Sequence, residues 1–320
     1  MTKTQNKCLI CYEHTENDEI YHKSCLKKLF NTDTPPIISF TNEDVSSLAL
    51  EYISEKRALP GVQRKLSLSL EKSNSNTTPI YRLTIIGYLG GEYILKPPTK
   101  EYPQMPELED LTMHLANIAK IEVAQHGLIR MQEGSLAYIT KRFDREGKHK
   151  IAVEDLCQIS LKPTEHKYKS SSEKVAKIIS GYSSNPGDDI LKFFELILFS
   201  FIVGNADMHL KNFTLLTQNL KNIKLAPCYD LLATKLLIPD TIDPEELALP
   251  LNGKKSNIRK KDFHVFAENL KIPKKVVEYS ISSMINCLPA WENKISQSFI
   301  DKKLKNAFQT LIVHKLEKLS

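Results

Sequence analysis

Asp207 stands five residues before Asn212 in the segment GNADMHLKNF (204–213), and Asp230 follows eighteen residues later in APCYD. A carboxylate and a carboxamide at this interval suit phosphoryl transfer. The aspartate can orient an attacking hydroxyl and accept its proton, while the asparagine carbonyl oxygen is a hard ligand for Mg²⁺. A second carboxylate completes such a site, because Mg²⁺ keeps several waters and takes its remaining ligands from the phosphates.

The partners this chemistry needs stand upstream in order. Lys96 ends the segment GEYILK, where its ammonium could hold nucleotide phosphates, and Glu109 could pair with it and fix its position. Before both runs LPGVQRKLSLSL (59–70), whose single glycine permits a close backbone approach to phosphate, although it is no GxGxxG. Each feature alone has an ordinary reading: a surface lysine, an acidic residue near a helix start, a capped turn. Chance must supply all of them in sequence order, which is what favours the phosphoryl-transfer reading. Protein kinases use the same Asp-to-Asn interval.

Elements able to position these residues are legible around them. YRLTIIGYLGGEYILKPP reads as two short strands around a turn at Leu89, Gly90 and Gly91, a hairpin delivering Lys96. PELEDLTMHLANIAKI places Leu108, Leu111, Leu115, Ile118 and Ile121 at helical spacing behind an acidic first turn. GSLAYITKRFD is strand-like. DILKFFELILFSFIVG is apolar throughout but shorter than the ~20 residues a bilayer requires, so it predicts a buried helix delivering GNADMH. NFTLLTQNLKNIKLAPCYD predicts a hairpin returning Asp230, and helices follow from about residue 260. Strands early and helices late indicate an α+β protein with a strand-rich N lobe and a helical C lobe. The expected divisions are a Cys/His knuckle over 1–35, an N lobe over 36–145 and a C lobe over 146–320.

Composition agrees with that class. The chain has 320 residues, 41% hydrophobic and 26% charged, which excludes a largely disordered chain. Its 11 glycines are roughly half the usual share, which favours helices over a glycine-rich sandwich. The formal charge is +6, but only seven of the 44 basic residues are arginine, so base readout by bidentate contacts is disfavoured and no direct nucleic-acid binding is expected. No apolar leader opens the chain, which predicts a cytoplasmic protein with reduced cysteines, unless it is a translocated effector with a C-terminal signal.

Taken together, these motifs resemble the HipA family of toxin kinases over about residues 58 to 270. LPGVQRKLSL is similar to that family's loop around a G-x-Q-x-K core, YILKP to its ATP-lysine strand and PELEDLTMHLA to its P-E-N-E-x-x-x-M-x-L-A helix. AYITKRFDR, VEDLCQI with Lys167 and Tyr168, GNADMHLKNF and APCYD are similar to its later blocks. The resemblance implies a two-lobed protein-kinase-like fold and an ATP- and Mg²⁺-dependent serine/threonine kinase. Pro60, Gly61, Val62, Gln63, Arg64 and Lys65 would cover the nucleotide phosphates, Lys96 paired with Glu109 would bind them, and Lys141, Arg142 and Phe143 would lie beside adenine. Asp207 would be catalytic; His209, Leu210, Lys211 and Asn212 would form the nucleotide and metal segment; Tyr229 and Asp230 would form the second metal position.

Two departures stand out. Many members carry a serine one or three residues before the loop glycine, where autophosphorylation ejects the loop; here those positions are Pro60 and Ala58, although Ser54, Ser67 and Ser69 lie nearby. Lys141 also stands where an acidic residue is common. The stretch before the loop is shorter than in full-length HipA and closer to HipT, the short kinase of tripartite HipBST systems. That implies a small HipS-like partner, a DNA-binding HipB-like antitoxin, no membrane partner and an aminoacyl-tRNA synthetase as the protein substrate. Alternatives are an effector kinase acting on a host protein or lipid, and a regulator that binds ATP without transferring phosphate.

Ahead of these blocks, Cys8 and Cys11 form CxxC, and His22 and Cys25 form HxxC. The spacing allows a tetrahedral Cys₃His zinc site in a stretch too short to build its own core. It equally allows a reduced knuckle whose cysteines pack as small apolar groups. Similar preludes occur in short HipA-like proteins.

Overall fold

The computed structural model describes the chain except residues 1–5, 17–18, 46, 48–64, 74–78, 88–89, 148 and 220. It divides into two compact units, one of residues 1–110, 124–142 and 297–299, the other of residues 111–123, 143–296 and 300–320.

The first unit is built on a six-stranded sheet: β1 (Ile37–Ile38), β2 (Leu66–Ser73), β3 (Ile80–Gly87), β4 (Tyr93–Lys96), β5 (His126–Arg130) and β6 (Leu136–Lys141), in the spatial order β1-β3-β2-β4-β6-β5. Only β1 and β3 run parallel. The hairpin expected from the run 81–98 does not form. Its two strands exist, but β2 lies between them and pairs with both, Leu70 opposite Leu83 on one side and Leu66 opposite Leu95 on the other. The glycines that suggested a tight turn serve this insertion. Gly91 sits at φ 79° with its backbone against Leu68, where a Cβ would lie 2.3 Å from the Leu68 carbonyl oxygen, and the next residue, Glu92, donates its N–H to that oxygen at 2.8 Å. Only glycine allows both the left-handed backbone and the approach.

Ahead of the sheet lies helix α1 (Lys23–Phe30), which buries Leu26, Leu29 and Phe30 in the first unit. Helix α2 (Met105–Ile118) begins with Glu107 in its first turn, and the division between the units falls within it, after Asp110. Of its expected apolar stripe, Ile121 lies beyond the helix: Lys120 turns left-handed at φ 66° and the Ile121 N–H returns to the Ala116 carbonyl at 3.0 Å, a Schellman closure made without glycine.

In the second unit, a two-residue ribbon of β7 (Arg145–Glu146) and β8 (His149–Lys150) precedes an antiparallel sheet of β9 (Ala152–Asp155), β10 (Thr214–Gln218) and β11 (Asn222–Leu225), with β10 central. The expected 214–225 hairpin is present. The unit also holds helices α3 (Leu156–Ile159), α4 (Ser172–Tyr182), α5 (Pro186–Val203), α6 (Lys260–Asn269), α7 (Lys274–Asn286), α8 (Leu288–Gln297) and α9 (Lys302–Glu317). Helix α5 is the core. Pro186 opens it at a position needing no N–H donor, Asp188 and Asp189 suit its positive end, and Phe193 to Val203 are buried without interruption save Glu195. Phe193 and Phe194 pack on Phe213, Phe263 and Phe266. The buried Asp189 carboxylate accepts from the Leu225 N–H at 2.9 Å and the Ser183 hydroxyl at 2.6 Å, tying β11 to the helix.

Gly204 ends α5 in the left-handed region at φ 70°. Its N–H reaches Phe201 O at 3.3 Å and the Asn205 N–H reaches Ser200 O at 2.8 Å. A Cβ there would meet Leu311 Cδ2 at 2.7 Å. Gly204→Ala is therefore expected to destabilise the protein by about 2 kcal/mol, from backbone strain plus a displaced leucine, read as a lower urea midpoint. An unchanged midpoint would show that the α5 terminus does not require this geometry.

Candidate active site

In the first unit, β4 ends on Lys96, held opposite Tyr138 by the β4–β6 ladder. Its Nζ lies 2.6 Å from Glu109 Oε1 on α2 and 5.5 Å from the Tyr138 ring centroid. Both charged side chains are buried, at 7% and 1% exposure. A charge pair this deep is stable only as a pair, since either ion alone would carry its full desolvation cost.

The carboxylate next to Glu109 is clamped as well. Asp110 accepts from the Tyr12 hydroxyl at 2.6 Å and lies 2.5 Å from His126 Nδ1. Glu107 differs: burial, reinforced by the nearby Asp110 charge, pushes its carboxyl up to about 7, and its Oε2 has no hydrogen-bond partner among the described residues. A carboxyl raised in the folded state holds its proton longer than in the unfolded chain. It lowers stability progressively as pH rises from about 4.5 to about 7, and by a constant amount above. Glu107→Gln is expected to raise the unfolding free energy read from urea titration at about pH 8, by on the order of 2 kcal/mol, and to change it little at about pH 4. Equal effects at both pH values would contradict this assignment.

Of the loop expected over the phosphates, Pro60, Gly61, Val62, Gln63 and Arg64 lie outside the described residues, as do Ser54 and Ala58; Lys65 is exposed at the entry to β2. Ser67 is buried in β2, its hydroxyl donating to the Gly90 carbonyl, and Ser69 is partly buried. Lys141 ends β6, with its N–H on Gln125 O at 2.8 Å. Arg142 is fixed by its own N–H on Glu92 O at 2.8 Å and by Nη1 on Gly90 O at 3.2 Å. Phe143 belongs to the second unit, where its ring lies 5.5 Å from that of Tyr229.

In the second unit, the Schellman closure of α5 launches the loop carrying Asp207. The Asn205 side chain accepts from the Asp207 N–H at 3.2 Å, and the Thr234 hydroxyl accepts from the Ala206 N–H at 2.9 Å. The Asp207 carbonyl then accepts twice, from the His209 N–H and from Asn212 Nδ2, both at 2.9 Å. That second bond fixes the buried Asn212 carboxamide. Only its NH₂ can donate to a carbonyl, so Oδ1 is the atom left to meet a cation. The Asn212 carbonyl oxygen and a carboxylate such as that of Asp230 are hard oxygen donors of the kind Mg²⁺ takes, and Asp230 is a non-glycine residue held in the left-handed region at φ 55°.

Further placements were not legible from motif spacing. The Tyr168 hydroxyl donates to Asp207 Oδ1 at 2.5 Å, and burial, then that bond, holds the phenol well above its ordinary range, so it stays a donor. The Leu210 N–H on Lys167 O, at 3.1 Å, pins this tyrosine's segment to the loop. Lys211 is paired with Asp155 at 2.7 Å, the same aspartate that caps α3. The Tyr229 hydroxyl is occupied between Lys211 O at 2.7 Å and Thr214 Oγ1 at 2.6 Å, which makes Tyr229 a brace for the loop. His209 is buried against the Tyr168 ring at 5.1 Å, and burial lowers its pKa, keeping the imidazole neutral near pH 7. The Lys167–Tyr168 dipeptide had been visible as a motif, but nothing in it named Asp207 as its partner.

Against known proteins, the model of the HipA-like C-terminal domain matches residues 57–291. The chain belongs to the HipA-like C-terminal domain family. Among curated relatives, Y4mE of Sinorhizobium fredii, provisionally named a kinase, is 32% identical over 206 residues, 61% of this chain and 48% of that protein. A similarly named protein of Haemophilus influenzae is 28% identical over 237 residues, 66% of this chain and 69% of its own. The chain thus spans about half the length of the first of these HipA-like relatives. Among solved structures, HipA of Shewanella oneidensis MR-1, determined with HipB and its operator DNA, superposes with a TM-score of 0.67 at 18% identity, covering 85% of this chain and 70% of that one. The proinflammatory kinase CtkA of Helicobacter pylori gives 0.53 at 18% identity, covering 73% and 90%. The fold is accordingly the two-lobed, protein-kinase-like fold of HipA. No helix among the described residues is long and apolar enough to cross a membrane.

Proposed function

We propose that this HipA-like chain is an ATP- and Mg²⁺-dependent serine/threonine protein kinase. The observation that carries the reading is the loop of the second unit, where Asn212 is tied to the Asp207 carbonyl and the Asp207 carboxylate is oriented by Tyr168. One carboxylate oxygen takes the tyrosine proton donor; the other is the acceptor for the proton of a substrate hydroxyl. Asn212 and Asp230 would hold Mg²⁺, which when bound neutralises charge on the phosphates. Lys96, positioned by Glu109, would bind the nucleotide phosphates, with the segment 60–65 covering them and Lys141 to Phe143 beside adenine. His209 and Lys211 would border the nucleotide through the loop they share with Asp207. The domain reading that goes with this is a knuckle over 1–35, an N lobe over 36–145 and a C lobe over 146–320.

Membership of the HipA-like family supports a toxin role in a toxin–antitoxin system, with an aminoacyl-tRNA synthetase as protein substrate and translation as the process arrested. The Shewanella protein's structure with HipB and DNA supports a DNA-binding HipB-like antitoxin as a partner here, and a HipT-like arrangement with a small HipS-like protein is part of the same proposal. The chain would act in the bacterial cytoplasm. Single-turnover labelling with ATP in host extract, followed by phosphosite mapping on wild type and Asp207→Asn, tests this. Labelled serine or threonine in a synthetase, absent with the variant, is expected. Labelling of another protein or of a lipid would replace the substrate, and no Asp207-dependent labelling would remove the kinase reading.

A further inference from the structure

Cys8, Cys11, His22 and Cys25 lie outside the motifs assigned to phosphoryl transfer, yet they converge on one point. Cys8 and Cys11 flank a turn closed by the Tyr12 N–H on Cys8 O at 2.9 Å, with Tyr12 left-handed at φ 68°. His22 is the N-cap residue of α1 and Cys25 lies in its first turn. The three sulfurs and one histidine nitrogen all fall within 4.8 Å of one another, with Cys11 Sγ 3.2 Å and Cys25 Sγ 4.0 Å from His22 Nδ1. A tetrahedral zinc with Zn–S near 2.3 Å and Zn–N near 2.0–2.1 Å has ligand–ligand edges of about 3.5–3.8 Å, which these distances straddle.

A second observation concerns the imidazole. His22 Nε2 lies 2.9 Å from the His14 carbonyl, which can only accept, so the ring proton sits on Nε2 and the Nδ1 lone pair faces the sulfurs. That is how a metal-ligating histidine is set by its outer hydrogen bond. Cysteines packing merely as small apolar groups would not require an imidazole turned inward among them. Disulfides do not account for the cluster either, because three cysteines cannot pair fully among themselves. The His22 N–H on Cys8 Sγ, at 3.4 Å, adds a donor to one sulfur.

We propose that Cys8, Cys11, His22 and Cys25 hold one structural Zn²⁺, and that it fixes the turn placing Tyr12 on Asp110. Four protein ligands close the coordination sphere, so the ion is structural, without an open position for water or substrate. The clamped knuckle docks within the first unit through the Leu128 N–H on Leu9 O at 2.9 Å, and Gly127 has no side chain, leaving room for Ile10. Tyr12 follows Cys11 directly, and its bond to Asp110 reaches the residue beside Glu109. Zinc would thereby steady the helix that carries the partner of Lys96.

The test uses the untagged full chain from zinc-supplemented cells. Plasma mass spectrometry should find about one zinc per chain, and exchange with Co²⁺ should give the visible absorbance of a tetrahedral thiolate site. Cys11→Ser and Cys25→Ser should each weaken that absorbance and lower zinc content. Stripping the metal with a thiol-reactive mercurial and chelator should lower the melting temperature and raise amide exchange in residues 105–110. Folded wild type with under about a tenth of an equivalent of zinc and no cobalt band would overturn the site. A cobalt band unchanged in both variants would overturn the ligand set, and unchanged exchange after stripping would overturn the bracing of α2. Metal content is independent of phosphoryl transfer, so these outcomes stand apart from the kinase reading.

Discussion

Replacing Asp207 with asparagine is expected to lower phosphoryl transfer by about 10²–10⁴-fold while leaving the folded state intact, because a positioned general base contributes on that scale. The substitution is chosen for what it retains. The asparagine Oδ1 can still accept from Tyr168, and the backbone carbonyl that receives Asn212 and the His209 N–H is untouched. Charge and proton acceptance are removed while the loop keeps its hydrogen bonds. Single-turnover rates, with melting curves as the control for folding, read the effect. A rate within a factor of about ten of wild type, from a protein that melts normally, would show that Asp207 is not the proton acceptor.

Lys96→Met should act on stability and function together. The lysine and Glu109 are both almost fully buried, and removing one partner leaves the other without its counter-ion, at about 3–5 kcal/mol. Replacing both residues, Lys96→Met with Glu109→Leu, should restore much of that loss, since a buried pair exchanged for apolar groups of similar volume is often near neutral. Nucleotide binding should not return in the double variant, because the cation that would meet the phosphates is still absent. Urea midpoints and titration with an ATP analogue separate the two effects. Wild-type nucleotide affinity in the double variant would show that Lys96 serves the fold alone.

These two sites differ in how far sequence could reach them. Asp207 and Asn212 share one loop, and the loop is launched by features local to the chain: an apolar helix, a glycine able to turn left-handed, and polar residues that close the turn on themselves. Lys96 and Glu109 are separated by thirteen residues, yet each was identifiable from its own element, a strand end and a helix start. Motif order also carried the HipA-like resemblance, which the family match over residues 57–291 then established.

Strand pairing was less accessible. The run 81–98 has the composition of a hairpin, and its glycines suit a turn, but β2 supplies the hydrogen-bonding edge for both strands. Local alternation tells which residues extend, and it does not name the neighbour that satisfies their N–H and C=O groups.

By itself, the amino-acid sequence determined the α+β class, the buried helix α5, the order of the chemical motifs and the four candidate zinc ligands, because periodicity, turn residues and short intervals are properties of neighbours along the chain. Only the tertiary structure decided that Tyr168 orients Asp207 across 39 residues, that Asp155 takes Lys211, and that Tyr12 clamps Asp110 from 98 residues away. Each is a hydrogen bond between residues far apart in the chain, from the solvent-accessible Tyr168–Asp207 bond to the buried Tyr12–Asp110 bond, so its partner is chosen by which side chains folding brings within reach, and no spacing in the sequence encodes that choice.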